Sequence, residues 1–450
     1  MSTDTTNQSS RPGEPDAQHD SIVGRGNREG SRLFRQWYEE LTTAPERGEK
    51  AAYVFVMGSL AELLNSFNLN LVFPEINGLQ TAVRHVSESY ITQAEDYGYN
   101  SDVCGYVKAD LGLQLRGGDH PMGRIPRPDI AVYTGACNTY IKWAEIWERL
   151  YGIPIFTLDV PGPRAAGRLP GRGHVDYDND LRYVAGQIEE LISVLENVTG
   201  TRFDVDRLRE AMAYANTMTT AWVKILELNQ SRPAVYDAVT DGTSYLGVAN
   251  GFRGRPEGAR YFEEVLEELE YKAATGIGTS HDQRHRLAFV GVPCYPIYRR
   301  FSEMFTERGG VFVGSTYTWF ASGGWNSGYL YDLDNPLESL AEGTLITSRE
   351  AMNDMFHADR LLADMVEPFG LDGVVFHGIK SCRTVSSGLA DSRRAVMELA
   401  DVGTLLIDSD HMDPRSVSEA QIKNRVDAFF EGLETRKLLA AAGEPEGSRR

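Results

Sequence analysis

The chain has 450 residues, 42% of them apolar and 10% aromatic, which is enough for large cores and too long for one typical domain. Its net charge of −19 argues against a nucleic-acid surface, which needs a basic footprint. No run reaches the roughly 18 apolar residues of a membrane-spanning helix, so no membrane partner is expected.

Residues 1–30 are rich in Ser, Thr, Asp, Gln, Gly and Pro and read as a disordered tail, without the basic and apolar regions of a secretory signal. A reducing, cytoplasmic setting is therefore expected, and the four cysteines read as thiols or metal ligands, not disulfides. Residues 31–178 read as an N-terminal α/β lobe. A short amphipathic helix over 32–41 precedes the apolar run Ala51 to Met57, expected as a buried parallel strand. Leu69 to Phe73, Asp129 to Thr134 and Ile153 to Leu158 read as further strands, with helices between them. From 179 to 283 the pattern turns helical, with Asp204 or Asp206 capping a helix that runs to about Leu228. Another helix is expected over Ala259 to Ala274. Residues 284–440 return to strand and helix alternation. Strands are expected at Leu287 to Val292, Val311 to Val313, Gly373 to Phe376 and Thr404 to Asp408. Helices are expected at Ser348 to Phe369, Leu389 to Leu399 and Ser418 to Leu433. Residues 441–450 read as a second disordered tail. The expected fold class is α/β: two doubly wound parallel-sheet lobes, distant copies of one plan, joined by a helical layer.

The chemistry concentrates in three segments, around Cys104, around Cys137 and around Cys382. Cys137 and Cys382 each follow a strand and open a helix, the place where open α/β sheets bind ligands. From two lobes they would face each other across a cleft. Three thiolates at such a cleft can hold a [4Fe–4S] cluster and leave one iron open to substrate. Spacing alone does not decide this, because isolated cysteines are often buried small hydrophobes. Cys294, in Gly-Val-Pro-Cys-Tyr-Pro, also follows a strand and is a rival ligand by position.

Several stretches resemble the family of 2-hydroxyacyl-CoA dehydratases and ATP-dependent benzoyl-CoA reductases. They are Pro74 to Gln80, Asp102 to Gly112, Tyr133 to Cys137 with Lys142-Trp143, His377 to Cys382, and Asp408-Ser-Asp410 with Gln421 to Arg425. The Cys104 and Cys137 segments are worded more like the B-type subunits of benzoyl-CoA reductase than like the dehydratases. The resemblance implies one [4Fe–4S] cluster on Cys104, Cys137 and Cys382, and it excludes Cys294. It implies a homologous second catalytic subunit, an ATP-dependent iron–sulfur activator as electron donor, and an acyl-CoA substrate whose thioester carbonyl takes up an electron. The favoured activity is two-electron reduction of the ring of benzoyl-CoA or a similar aryl-CoA. The alternatives are (R)-2-hydroxyacyl-CoA dehydration through a ketyl, and a non-enzymatic iron–sulfur redox or binding protein. Glu75 is expected as a proton relay, against the plainer role of a capping or surface glutamate. His377 and Lys380 are expected near the cluster or a CoA phosphate, or as satisfied loop residues. Gly323-Gly324-Trp325 and Arg253, Arg255 and Arg260 read as solvated loops with an outside chance of CoA contact.

Overall fold

The computed structural model describes residues 22–162, 171–320, 328–352 and 355–442. Most of the expected N-terminal tail, nearly all of the C-terminal one, and Gly323, Gly324 and Trp325 lie outside the described residues. The first long helix, Arg25–Thr43, starts earlier than expected and takes in residues 25–30, which read as tail from composition. Its buried positions Gly26, Gly30, Leu33, Trp37 and Leu41 recur at helical spacing, and this stripe holds the segment in place.

Two four-stranded parallel sheets organise the chain. The first comprises β1 (Ala51–Tyr53), β2 (Asn70–Val72), β5 (Ile130–Thr134) and β6 (Ile155–Leu158), in the spatial order β2-β1-β5-β6. Between them β3 (Asp119–His120) and β4 (Gly123–Arg124) form a short antiparallel hairpin that the sequence did not announce. The second sheet comprises β7 (His285–Val290), β8 (Gly310–Ser315), β9 (Gly373–Ile379) and β10 (Gly403–Ser409), in the order β10-β9-β7-β8. The third strand of the first sheet, β5, leads to Cys137, and β9 of the second leads to Cys382. The inner strands β5, β7 and β9 are almost wholly buried and carry Val, Ile, Leu and Phe, as parallel strands covered on both faces must.

Helices Val175–Thr199, Val205–Leu228, Thr240–Gly251 and Pro256–Thr275 lie between the two sheets in the chain. Asp204 caps the second of them by accepting the Asp206 N–H at 2.9 Å. Where a helix is expected from Ser348 to Phe369, helical residues are described over Pro336–Met352, Met355–Asp364 and Val366–Phe369, with residues 353–354 outside the described residues. The closing helix, Glu419–Ala441, is longer than expected. No described helix is long and apolar enough to cross a membrane.

Candidate functional site

The carboxyl ends of both sheets point at one cavity of about 400 Å³. Val56, Met57, Glu75, Cys104, Cys137, Val290, Tyr317 and Cys382 all border it. Most of these residues follow β1, β2, β5, β7, β8 or β9, so the site sits where open α/β sheets place their ligands. The three cysteines singled out in the sequence are thus brought together with Glu75. Cys294 is not among them. It is fully buried, its thiol donates to the Asp410 carbonyl at 3.4 Å, and it accepts from Ser409 at 3.7 Å.

Each of the three cysteines is the residue before a helix. Cys104 precedes Gly105–Leu115, Cys137 precedes Asn138–Tyr151, and Cys382 precedes the short Arg383–Ser386 turn. None of the three side chains is assigned as the cap of its own helix. A web of polar contacts fastens these helices to one another. Asp110, on the Cys104 helix, accepts the indole N–H groups of Trp143 and Trp147, on the Cys137 helix, at 2.7 and 2.8 Å. The Gly105 N–H donates to Ser381 Oγ at 3.2 Å, and the Ser381 N–H donates to Asp410 at 3.0 Å. Cys137 Sγ lies 3.2 Å from Thr384 Oγ1, whose hydroxyl donates to Asn138 Oδ1 at 3.1 Å. The backbone at Gly105 also approaches the other half of the molecule closely. A Cβ there would stand 2.6 Å from Met412 Cβ, which only glycine avoids.

Burial sets the electrostatics. It pushes the Cys104 thiol well above its ordinary value, and the nearby Cys382 and Cys137 sulfurs add to the rise. Cys382 is pushed up to about 11 by burial, with Cys137 again contributing. The three sulfurs are therefore close enough to repel one another as thiolates, and a bound cation would relieve that repulsion. Among the described residues, no group of three His, Cys, Asp or Glu side chains is arranged to hold a single metal ion. Three sulfurs on one apolar cavity, with no nitrogen ligand joined to them, form a soft donor set that suits an iron–sulfur cluster better than a hard cation.

Glu75 lies in the first turn of helix Pro74–Val83 and is 3% exposed, so it is not a surface glutamate. Burial raises it to about 8, against the opposing pull of the Tyr140 hydroxyl, which donates to Oε1 at 2.6 Å. Its Oε2 is buried without a partner. Burial thus holds the carboxyl toward its neutral form. Tyr140, held by a stack on Phe55 at 3.7 Å, carries no mark of its role in the sequence although it stands inside the Cys137 segment. The same is true of Asp110 and Asp410, whose long-range partners no local pattern reveals.

The other expected candidates fall away from the cavity. His377 is fully buried in β9, bonded to the Val292 carbonyl at 2.6 Å and to Ser409 Oγ at 2.7 Å. Lys380 is exposed. Arg253 is not a solvated loop residue: it pairs with buried Glu62 at 2.8 Å. Arg255 pairs with Glu40 at 2.8 Å, and Arg260 is exposed.

Comparison with known proteins points to one family. The family described as 2-hydroxyglutaryl-CoA dehydratase, D-component, matches over residues 58–433. The B-type subunit of the benzoyl-CoA reductase of Thauera aromatica is 32% identical, covering 90% of this chain and 93% of its own. The (R)-phenyllactyl-CoA dehydratase alpha subunit of Clostridium sporogenes is 26% identical, over 88% and 92%. The alpha subunit of (R)-2-hydroxyglutaryl-CoA dehydratase of Acidaminococcus fermentans is 25% identical, over 88% and 94%. With a match that spans most of its length, the chain belongs to the family of catalytic subunits of benzoyl-CoA reductase and the 2-hydroxyacyl-CoA dehydratases.

Proposed function

We propose that the chain is the cluster-bearing catalytic subunit of a radical acyl-CoA enzyme that reduces the aromatic ring of benzoyl-CoA or a similar aryl-CoA. The observation that carries this reading is the convergence of three cysteines and one buried carboxyl on a single largely apolar cavity. The 32% identity to a benzoyl-CoA reductase subunit supports reduction over dehydration. A [4Fe–4S] cluster on Cys104, Cys137 and Cys382 would supply single electrons at low potential and leave one iron open. The chain's own residues supply the rest. Val56, Met57, Trp143, Leu246 and Val290 give the cavity an apolar wall that suits an aryl ring. The Glu75 carboxyl, held toward its neutral form by burial, would donate a proton to the ring as negative charge arrives there. Two electrons from the external donor and two protons, one from Glu75 and a second from solvent, would add to the ring, and no group leaves. A homologous second subunit and an ATP-dependent iron–sulfur activator complete the system, which works in the cytoplasm.

The dehydratase relatives favour a second reading, elimination of water from an (R)-2-hydroxyacyl-CoA. A third is a non-enzymatic iron–sulfur protein. Reductant counting separates the first two. With partner subunit and activator supplied, the reductase reading expects about two electrons consumed per product, in excess of those the activator spends unproductively. A dehydratase recovers its electron each cycle, so product far exceeding reductant would replace the first reading with the second. No turnover of either substrate class, with iron present, would leave the third.

A further inference from the structure

Asp410 follows β10 at its carboxyl end and is 1% exposed. Its carboxylate lies between the backbones that flank two of the cavity cysteines. Oδ2 accepts the N–H of Ser381, the residue before Cys382, at 3.0 Å. Oδ1 would stand 3.4 Å from a Cβ on Gly105, the residue after Cys104. Oδ1 also accepts the Met412 and Asp413 N–H groups, at 2.9 and 3.0 Å. Among the described residues, no Lys or Arg side chain pairs with this carboxylate. His411 Nδ1 is 3.6 Å from Oδ1, but burial holds that imidazole below its ordinary value, toward its neutral form. A buried carboxylate without a cation is costly. The turn over 410–413 does not need the charge, because Oδ1 alone takes both of its N–H groups and the oxygen of an asparagine would do the same. The field of the carboxylate reaches the cysteines: after burial and Cys137, it adds to the rise of the Cys382 thiol.

We propose that the Asp410 carboxylate is a fixed negative charge that holds down the reduction potential of a cluster bound by Cys104, Cys137 and Cys382. This rests on the iron–sulfur reading above and adds to it a residue that sets the potential. Helices Gly105–Leu115 and Asn138–Tyr151 turn their positive ends toward the cysteines that precede them. That field favours an added electron and so raises the potential. Passing the electron on to an aromatic ring needs the opposite. The potential of a cluster follows the net charge around it, and a buried anion disfavours the reduced, more negative state. Burial also protects the Asp410 field from screening by salt.

The test is a redox titration of the full chain, loaded with iron and sulfide under anaerobic conditions and followed by electron paramagnetic resonance. Asp410→Asn removes the charge and keeps the turn. At the wild-type midpoint its ratio of reduced to oxidised cluster should rise about tenfold, the scale of one buried charge at an effective dielectric constant of about 20. For a one-electron couple this is an upward shift of about 59 mV. Asp410→Ala should shift the same way. Asp410→Glu keeps the charge and should stay near the wild type. Ser381→Ala is the control for packing: it breaks the Gly105 contact and leaves the charge in place, so its potential should also stay near the wild type. An unchanged potential in iron-loaded Asp410→Asn would overturn this inference alone. So would equal upward shifts in Asp410→Asn and Ser381→Ala, which would mean that the packing of the two backbones sets the potential. Loss of iron from both neutral variants, with Asp410→Glu still loaded, would make the carboxylate a fastener and overturn it as well. Wild-type protein that took up no cluster would overturn the inference together with the iron–sulfur reading.

Discussion

Glu75 experiences two opposing influences. The first turn of a helix favours a carboxylate by about 0.3–1 kcal/mol. Burial favours the neutral acid and wins, raising the group to about 8 from an ordinary 4.5. Between those values the folded protein keeps a proton that the unfolded chain has released. Stability contributed by this group is therefore greatest below about pH 4.5 and is lost as pH rises toward 8. Glu75→Gln keeps the shape and cannot ionise. Its stability relative to wild type should climb across pH 5 to 8 by on the order of a few kcal/mol, read from urea denaturation at each pH. The same variant should retain its iron and lose turnover by about 10²–10⁴-fold, the usual worth of one general acid. A stability difference that stays flat with pH would mean that the carboxyl is already ionised in the folded protein, and it would end its role as proton donor.

At the scale of elements, the site is three helix starts, each opened by a cysteine and held in mutual register by other side chains. Thr384 shows how. In the free thiol, its single hydroxyl proton goes to Asn138 Oδ1, leaving its oxygen to accept from Cys137. Once Cys137 is a metal-bound thiolate, that hydroxyl is free to turn and donate to the sulfur. A hydrogen bond to a ligand sulfur stabilises the more negative, reduced cluster. Thr384→Val removes the donor at nearly constant volume, so the midpoint potential should fall by about tens of millivolts, the scale of one such bond. A redox titration of the iron-loaded variant checks this, and an unchanged potential would show that the hydroxyl stays on Asn138. The sequence singled out the three cysteines that meet at the cavity, since cysteines opening helices stand out in a chain with four of them. All eight strands of the two main sheets were likewise legible as apolar runs. Their ends were not: Val54 to Met57 is as apolar as the strand before it, yet β1 stops at Tyr53, and Val56 and Met57 line the cavity instead. Asp110, Ser381 and Thr384 were not legible as fasteners, because each acts on a partner far away in the chain.

For the whole molecule, the sequence suggested two copies of one plan, and each half does carry a four-stranded parallel sheet. It held no sign of how the halves are joined. Away from the cysteines, the joint is made by the Ser87 hydroxyl donating to the Met412 carbonyl at 2.8 Å, and by Glu95. Glu95 accepts from Arg415 at 2.8 and 2.9 Å and from Lys108 Nζ at 2.9 Å. Arg415 holds its carboxyl down at about 2, with Lys108 assisting. The two cations differ in exposure. Lys108 is 1% exposed, and its ammonium also donates to the Ser101 carbonyl at 2.7 Å, which carries no charge to replace Glu95. Arg415 is 39% exposed and keeps Asp413 as a second partner at 2.7 Å. Removing Arg415 therefore breaks a solvent-screened pair and leaves Glu95 with Lys108, a loss of about 1 kcal/mol. Removing Glu95 strands a buried ammonium, a loss of about 3–5 kcal/mol. Urea denaturation near pH 7 should rank Glu95→Ala well below Arg415→Ala in stability. Because the folded carboxyl titrates below its unfolded value, the contribution of Glu95 is present above about pH 4.5 and is lost as pH falls toward 2. The gap between wild type and Glu95→Ala should shrink over that acid range. Equal losses for the two variants at pH 7 would mean that Lys108 finds another counter-charge, and that Arg415 alone carries the joint.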